Sequence, residues 1–144
     1  MEMLQKLMKK LLADTFAMYL KAHNYHWNVE GADFAQYHDF FGNLYTEIHG
    51  AVDPTAEQIR TLDTYTPGSL QRFSELTEIE DELMTPDARE MCRRLAVDNQ
   101  KVLATLNMAF KMASTSDKQG IADFLAGRID AHEKHAWMLR SFSK

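Results

Sequence analysis

Apolar side chains recur at three- and four-residue steps through most of this chain, and little interrupts them. Leu4, Leu7, Met8, Leu11, Thr15, Met18 and Ala22 share one face of a helix and predict an amphipathic segment over about 2–28. Asn28-Val29-Glu30-Gly31 ends it, with Gly31 suited to a left-handed cap. A second helix starts near Asp33, a good N-cap residue, carries Phe34, Tyr37, Phe41, Leu44, Tyr45 and Ile48, and runs to about Leu62. Pro54 predicts a kink in it near Gly50. Residues 63–85 read as a connection holding a short helix at about 69–77, opened by Pro67-Gly68-Ser69. Thr85 is expected to cap a third helix whose first position is Pro86 and whose stripe is Met91, Leu95, Val102, Leu106, Ala109, Phe110 and Ala113. Ser114-Thr115-Ser116-Asp117 breaks it. A fourth helix carries Ile121, Leu125, Ile129, His132, Ala136 and Leu139. No stretch alternates long enough to argue for strands. The chain therefore reads as all-α and as one domain over 1–144. It has four long helices, with a short extra helix in a connection long enough to cross the bundle.

Composition narrows the class. With 144 residues and 45% apolar content, the chain can bury a real core. The net charge is −5, and no run of Lys or Arg exceeds two residues, which argues against a nucleic-acid patch. A single cysteine, Cys92, excludes an intrachain disulfide and fits a reducing compartment. No apolar run approaches the roughly 20 residues of a membrane span. Lysines interleave with leucines at the N-terminus, unlike a signal peptide. The expectation is a cytoplasmic protein, mature from residue 1.

Chemistry concentrates between residues 26 and 57. His26, His38, Asp53 and Glu57 make a mixed N/O set suited to iron, zinc or manganese. Taken singly, each has a duller reading: a satisfied core histidine, or a solvated acidic face. Asp53 and Glu57 stand four residues apart, on one face of a helix. Asp53 lies 15 residues past His38, roughly 22 Å along a helix at 1.5 Å per residue. One ion cannot touch both ends of that span. Either the four share no metal, or a second chain supplies half the site. The in-bundle alternative fails as well. Ferritin-like di-iron bundles use Glu-x-x-His on two helices, and no Glu in this chain has His three residues later.

The segment Lys21–Leu62, with His26-Trp27, Gly31, Phe34, His38, Asp53 and Ala56-Glu57, closely resembles the Dps proteins, the miniferritins of starved bacteria. Ile129-Asp130, Lys134-His135 and Trp137-Met138-Leu139 are similar to that family's last helix. The resemblance spans essentially the whole chain. It implies a ferritin-like bundle assembled into a spherical homo-dodecamer, oxidising Fe(II) with hydrogen peroxide or O₂ and storing ferric mineral inside. It also implies metal sites between two-fold related subunits, the geometry that the reach argument demands. One position departs from the family pattern. Gly42 stands where an Asp is usual, which removes a carboxylate from the second metal position. Asp39 and Glu47 are substitute ligands, and His23 is an outer ligand or a supporting partner. By the same resemblance, Asp117 and Asp123 are candidates for pores that admit iron. Trp27, beside a ligand, can intercept oxidising equivalents. His132 and His135 are expected to pack in the core and bond Asp130 or Glu133, and the acidic run 75–82 to be a solvated loop.

The favoured class is a ferroxidase. The alternatives are a DNA-compacting structural protein and a non-catalytic zinc or manganese site joining two chains. An acidic subunit whose helix pattern begins by Leu4, with no basic tail, argues against direct DNA binding.

Overall fold

The computed structural model describes all 144 residues. Its helices are α1 (Glu2–Asn28), α2 (Phe34–Gly50), α3 (Val52–Thr61), α4 (Leu70–Leu76), α5 (Ala88–Thr115) and α6 (Gln119–Ser143). There are no strands. Cross-helix pairs fix the directions. His26 meets His38 and Tyr19 meets Tyr45, so α1 and α2 are antiparallel. Lys10 reaches Thr105 while Lys21 reaches Asp98, so α5 also opposes α1. Phe40 stacks on Phe142 while Glu47 bonds Arg128, so α6 opposes α2. Hence α2 and α5 run parallel, and the connection carrying α4 must cross the bundle. This is the expected ferritin-like arrangement of four helices with a short fifth in the crossover.

The predicted stripes are the core. Leu4, Met8, Leu11 and Met18 of α1, Phe41 and Ile48 of α2, Met91, Leu95 and Leu106 of α5, and Leu125 and Leu139 of α6 are essentially sealed from water. Cys92 lies among them, and burial pushes its thiol up to about 12, so it is inert packing. Phe34 departs from its stripe: it is 44% exposed, with its ring stacked over His38.

The joints follow local chemistry. Gly31 does not cap α1 as expected: the helix ends at Val29 in extended backbone, and Gly31, at φ +120°, which a side chain would oppose, makes the turn toward α2 beyond it. The kink expected near Gly50 is a break. Ala51 separates α2 from α3, and Pro54 sits in the first turn of α3, where a missing N–H is harmless. The start of α5 differs from expectation. Asp87, not Thr85, is the cap, its carboxylate accepting from the Glu90 N–H at 2.9 Å, and Pro86 stays in the connection. Asp is a stronger cap than Thr.

The acidic run is not a free loop. Buried Asp14 accepts from the Thr77 hydroxyl at 2.6 Å, the Glu78 N–H at 2.9 Å and Lys10 Nζ at 2.6 Å, pinning the crossover to α1. Lys21 Nζ donates to the Glu80 carbonyl at 2.9 Å and pairs with buried Asp98 at 3.0 Å. Glu82 accepts from the Tyr25 hydroxyl at 2.5 Å and from Arg94 at 2.7 Å.

A second polar cluster joins α2, α5 and α6. Arg128 donates to both Glu47 oxygens, at 2.5 and 3.1 Å, and His135 Nε2 lies 2.6 Å from Oε1 of the same carboxylate. Arg128 also donates to His132 Nε2 at 3.2 Å. His132 Nδ1 must then carry the proton, and it donates to Asn99 Oδ1 at 2.7 Å. His132 and His135 therefore bond Asn99, Arg128 and Glu47, and not Asp130 or Glu133 as expected. Those two acids project to water, and Asp130 faces Lys134 at 3.7 Å. Burial raises the Glu47 pKa, but the bonds from His135 and Arg128 outweigh it and hold the carboxylate well below its usual range. Burial, with the nearby charges of Arg128 and His135, lowers His132 to about 3.

Two outcomes follow from these clusters. Asp14→Ala strips three donors of their acceptor and should cost about 2–4 kcal/mol, read from denaturant unfolding. His132 is neutral when folded, so between its unfolded value of 6.5 and about 3 the unfolded chain binds the extra proton. Stability should fall as pH drops through that window, by at most about 1.4 kcal/mol per pH unit. His132→Asn should flatten that part of a pH–stability curve.

Candidate metal centre

His26 lies in the last turn of α1, where backbone carbonyls have no helical partner. His38 Nδ1 fills that vacancy, donating to the His26 carbonyl at 2.7 Å. His26 Nδ1 donates in return to the His38 carbonyl at 2.8 Å. A carbonyl can only accept, so each ring carries a proton on Nδ1, and in the neutral imidazole the lone pair is left on Nε2. The rings stack at 3.8 Å and 17°. Metal-binding imidazoles are typically fixed in this way, through a carbonyl on the far nitrogen. Neither Nε2 has a partner within the chain.

Gly42, one turn beyond His38, explains how the stack fits. A Cβ there would lie 3.1 Å from His26 Cε1 and 3.2 Å from its Nδ1. The position lacks the carboxylate usual in the resembled family, and its bare backbone admits the His26 ring. Phe34 covers His38 from the other side at 4.9 Å, and Tyr45 lies 5.2 Å from His26.

Asp53 and Glu57 are both exposed on α3 and form no ion pair within the chain. They do not join the histidines. No group of three or more His, Cys, Asp or Glu in a single chain is arranged to hold a metal. One subunit thus presents a pair of imidazoles fixed by backbone carbonyls and, on another helix, an exposed pair of carboxylates. Both lack what the other offers.

The remaining candidates fare differently. Glu47 is committed to Arg128 and His135, so it is not a free substitute for the missing carboxylate. Asp39 is exposed and unpaired. His23 lies 6.0 Å from His26, ring to ring. Its Nδ1 meets the Tyr19 hydroxyl at 3.1 Å, and its ring is sandwiched between Tyr45 at 3.7 Å and Trp27 at 3.9 Å. Desolvation, then the charges of His26 and His49, lower its pKa. Asp117 and Asp123 are exposed. Asp117 also shapes the backbone, its φ of +55° making the left-handed turn between α5 and α6.

Sequence reasoning missed the Tyr19–His23–Tyr45 stack. The signal was present in the four-residue step from Tyr19 to His23, which puts both rings on one face of α1.

A family model described as a ferritin-like domain matches residues 5–144. The chain is 31% identical to DNA protection during starvation protein 2 of Bacillus anthracis, covering 95% of this chain and 94% of the relative. Among solved structures, a Dps protein from Bacillus brevis superposes with a TM-score of 0.94 at 30% identity, covering 99% of this chain and 96% of that one. The Dps protein of Vibrio cholerae, described as a member of a broad superfamily of ferritin-like diiron-carboxylate proteins, gives 0.95 at 25% identity, over 99% and 90%. Fold and sequence agree along the full length: the chain belongs to the Dps family of ferritin-like proteins.

Proposed function

We propose that this protein is a miniferritin: a ferroxidase that oxidises Fe(II) with hydrogen peroxide or O₂ and stores the ferric product within a dodecameric shell. One observation carries the reading. His26 and His38 lock each other's Nδ1, leaving two Nε2 lone pairs with no use inside the subunit. A two-fold partner supplies the complement. Asp53 and Glu57 of one chain face His26 and His38 of the other, and an isologous contact makes two such centres per pair.

The residues divide the chemistry. Neutral imidazoles bind Fe(II) without overcommitting it, and leave coordination positions open to peroxide or O₂. Two carboxylates offset the charge gained as iron goes from Fe(II) to Fe(III). The ferric product then leaves for the acidic inner wall, with Asp117 and Asp123 at the pores through which iron enters. Zinc or manganese fits the same donors, and turnover with iron separates a catalytic centre from one that merely joins subunits. Relatives carry names that refer to DNA protection. In this chain, with its net charge of −5, that protection works by consuming iron and peroxide, and not by coating phosphate.

Ferric absorbance after anaerobic mixing with Fe(II) and peroxide tests the reading. His26→Ala and Asp53→Ala should each abolish rapid oxidation. Co-assembled from equal amounts of the two variants, shells should recover roughly a quarter of the wild-type rate. Random pairing makes half the dimers mixed, and each mixed dimer has one intact centre. No recovery in verified mixed shells would sink the shared-site geometry. A second variant probes the fit of the stack. Gly42→Ala should push the His26 ring aside and weaken Fe(II) binding by about 1 kcal/mol, the order of an off-rotamer shift, as read by titration.

A further inference from the structure

Gly42 leaves the centre short of one carboxylate, and Glu47, a natural replacement, is already bound by Arg128 and His135. A centre that holds a single iron releases one electron. Reducing peroxide to water takes two. Unless a second donor is at hand, the other product is hydroxyl radical, beside the protein that made it.

Such a donor stands next to the histidines. Tyr19, Tyr45, His23 and Trp27 form a continuous packed cluster. Tyr45 is 5.2 Å from His26, 3.7 Å from His23 at 8° and 6.1 Å from Tyr19, ring to ring. Losing an electron from a phenol is easy only if its proton leaves as well. Within this cluster Tyr19 is the phenol paired with an imidazole, its hydroxyl 3.1 Å from His23 Nδ1, and it donates there when His23 carries its own proton on Nε2. The pair is half-buried, and His23 is held by rings on both faces, so the geometry persists.

We propose that the His26–His38 centre holds one iron and that Tyr19, with His23 as its proton acceptor, supplies the second electron for peroxide reduction there. The proposal rests on the ferroxidase reading above. Fe(II) gives one electron and becomes Fe(III). Tyr19 gives the other, passed across Tyr45 to the centre, and becomes a neutral tyrosyl radical as its O–H proton moves to His23 Nδ1. The peroxide O–O bond breaks, and with two protons from solvent the products are two waters. The next Fe(II) to bind returns an electron to the tyrosyl radical and His23 returns the proton, so Tyr19 is restored. Two irons are oxidised per peroxide, one after the other, at a centre that holds one. His23 is a positioning residue here: it takes the proton and never touches the iron.

The test is rapid-freeze electron paramagnetic resonance on the assembled full-length protein, given one Fe(II) per chain and equimolar peroxide without O₂. A tyrosyl signal should appear and should vanish on adding a second equivalent of Fe(II). Ring-deuterated tyrosine should narrow it. Tyr19→Phe, which keeps the ring, should reduce the signal at least tenfold and raise spin-trapped hydroxyl radical. His23→Gln should weaken it likewise. An undiminished radical in Tyr19→Phe, or its absence from wild-type protein that still forms Fe(III) two per peroxide, would overturn this donor and leave the ferroxidase reading standing. If wild-type protein oxidises no Fe(II), the centre itself is misassigned and the donor falls with it.

Discussion

Two hydrogen bonds hold the candidate centre together, and each runs from an imidazole to the other histidine's own backbone. His38 satisfies a carbonyl that the end of α1 leaves bare, and His26 reaches back to a carbonyl in α2. Tautomer, ring orientation and the closeness of the two helices are fixed by that exchange. No acid is needed to orient either ring, so the carboxylates of α3 remain uncommitted. The exchange also sets the demand at position 42, where a side chain would press on the His26 ring.

The crossover obeys a related logic. A long segment carrying several acids would drift in water if charge alone governed it. Asp14, Lys21 and Arg94 catch it at Thr77, Glu78, Glu80 and Glu82. Each anchor joins residues far apart in sequence, and Asp14 and Lys21 are sealed in the bundle. Buried donors and acceptors of this kind are costly when unmatched, so they select one path for the connection.

How much could be read from the residues alone depends on range. The 3.6-residue stripes are local and survive folding intact: Leu4 through Ala22 and Met91 through Ala113 face the core as their spacing demands. The break at Ala51 and the turn at Gly31 were legible from Pro54 and Gly31. The cap at Asp87 was missed because Thr85-Pro86 offers a competing local signal, and the Asp87–Glu90 bond decides between them. The four candidate ligands were legible as residue types, and the gap between His38 and Asp53 as a distance too long for one chain to close. The inner geometry of the centre was not. Glu47 finds Arg128 and His135, 81 and 88 residues away, and no periodicity announces such a meeting. The steric role of Gly42 likewise needs the neighbouring helix.

Arg128 balances the charge of its polar cluster from within the chain. Glu47, His132 and His135 gather around its guanidinium, a positive charge tethered to the backbone by its own side chain. A tethered cation cannot be chelated, exchanged or oxidised. The cluster in the subunit's interior is therefore complete without a metal, its acid already matched by a side chain of the same chain.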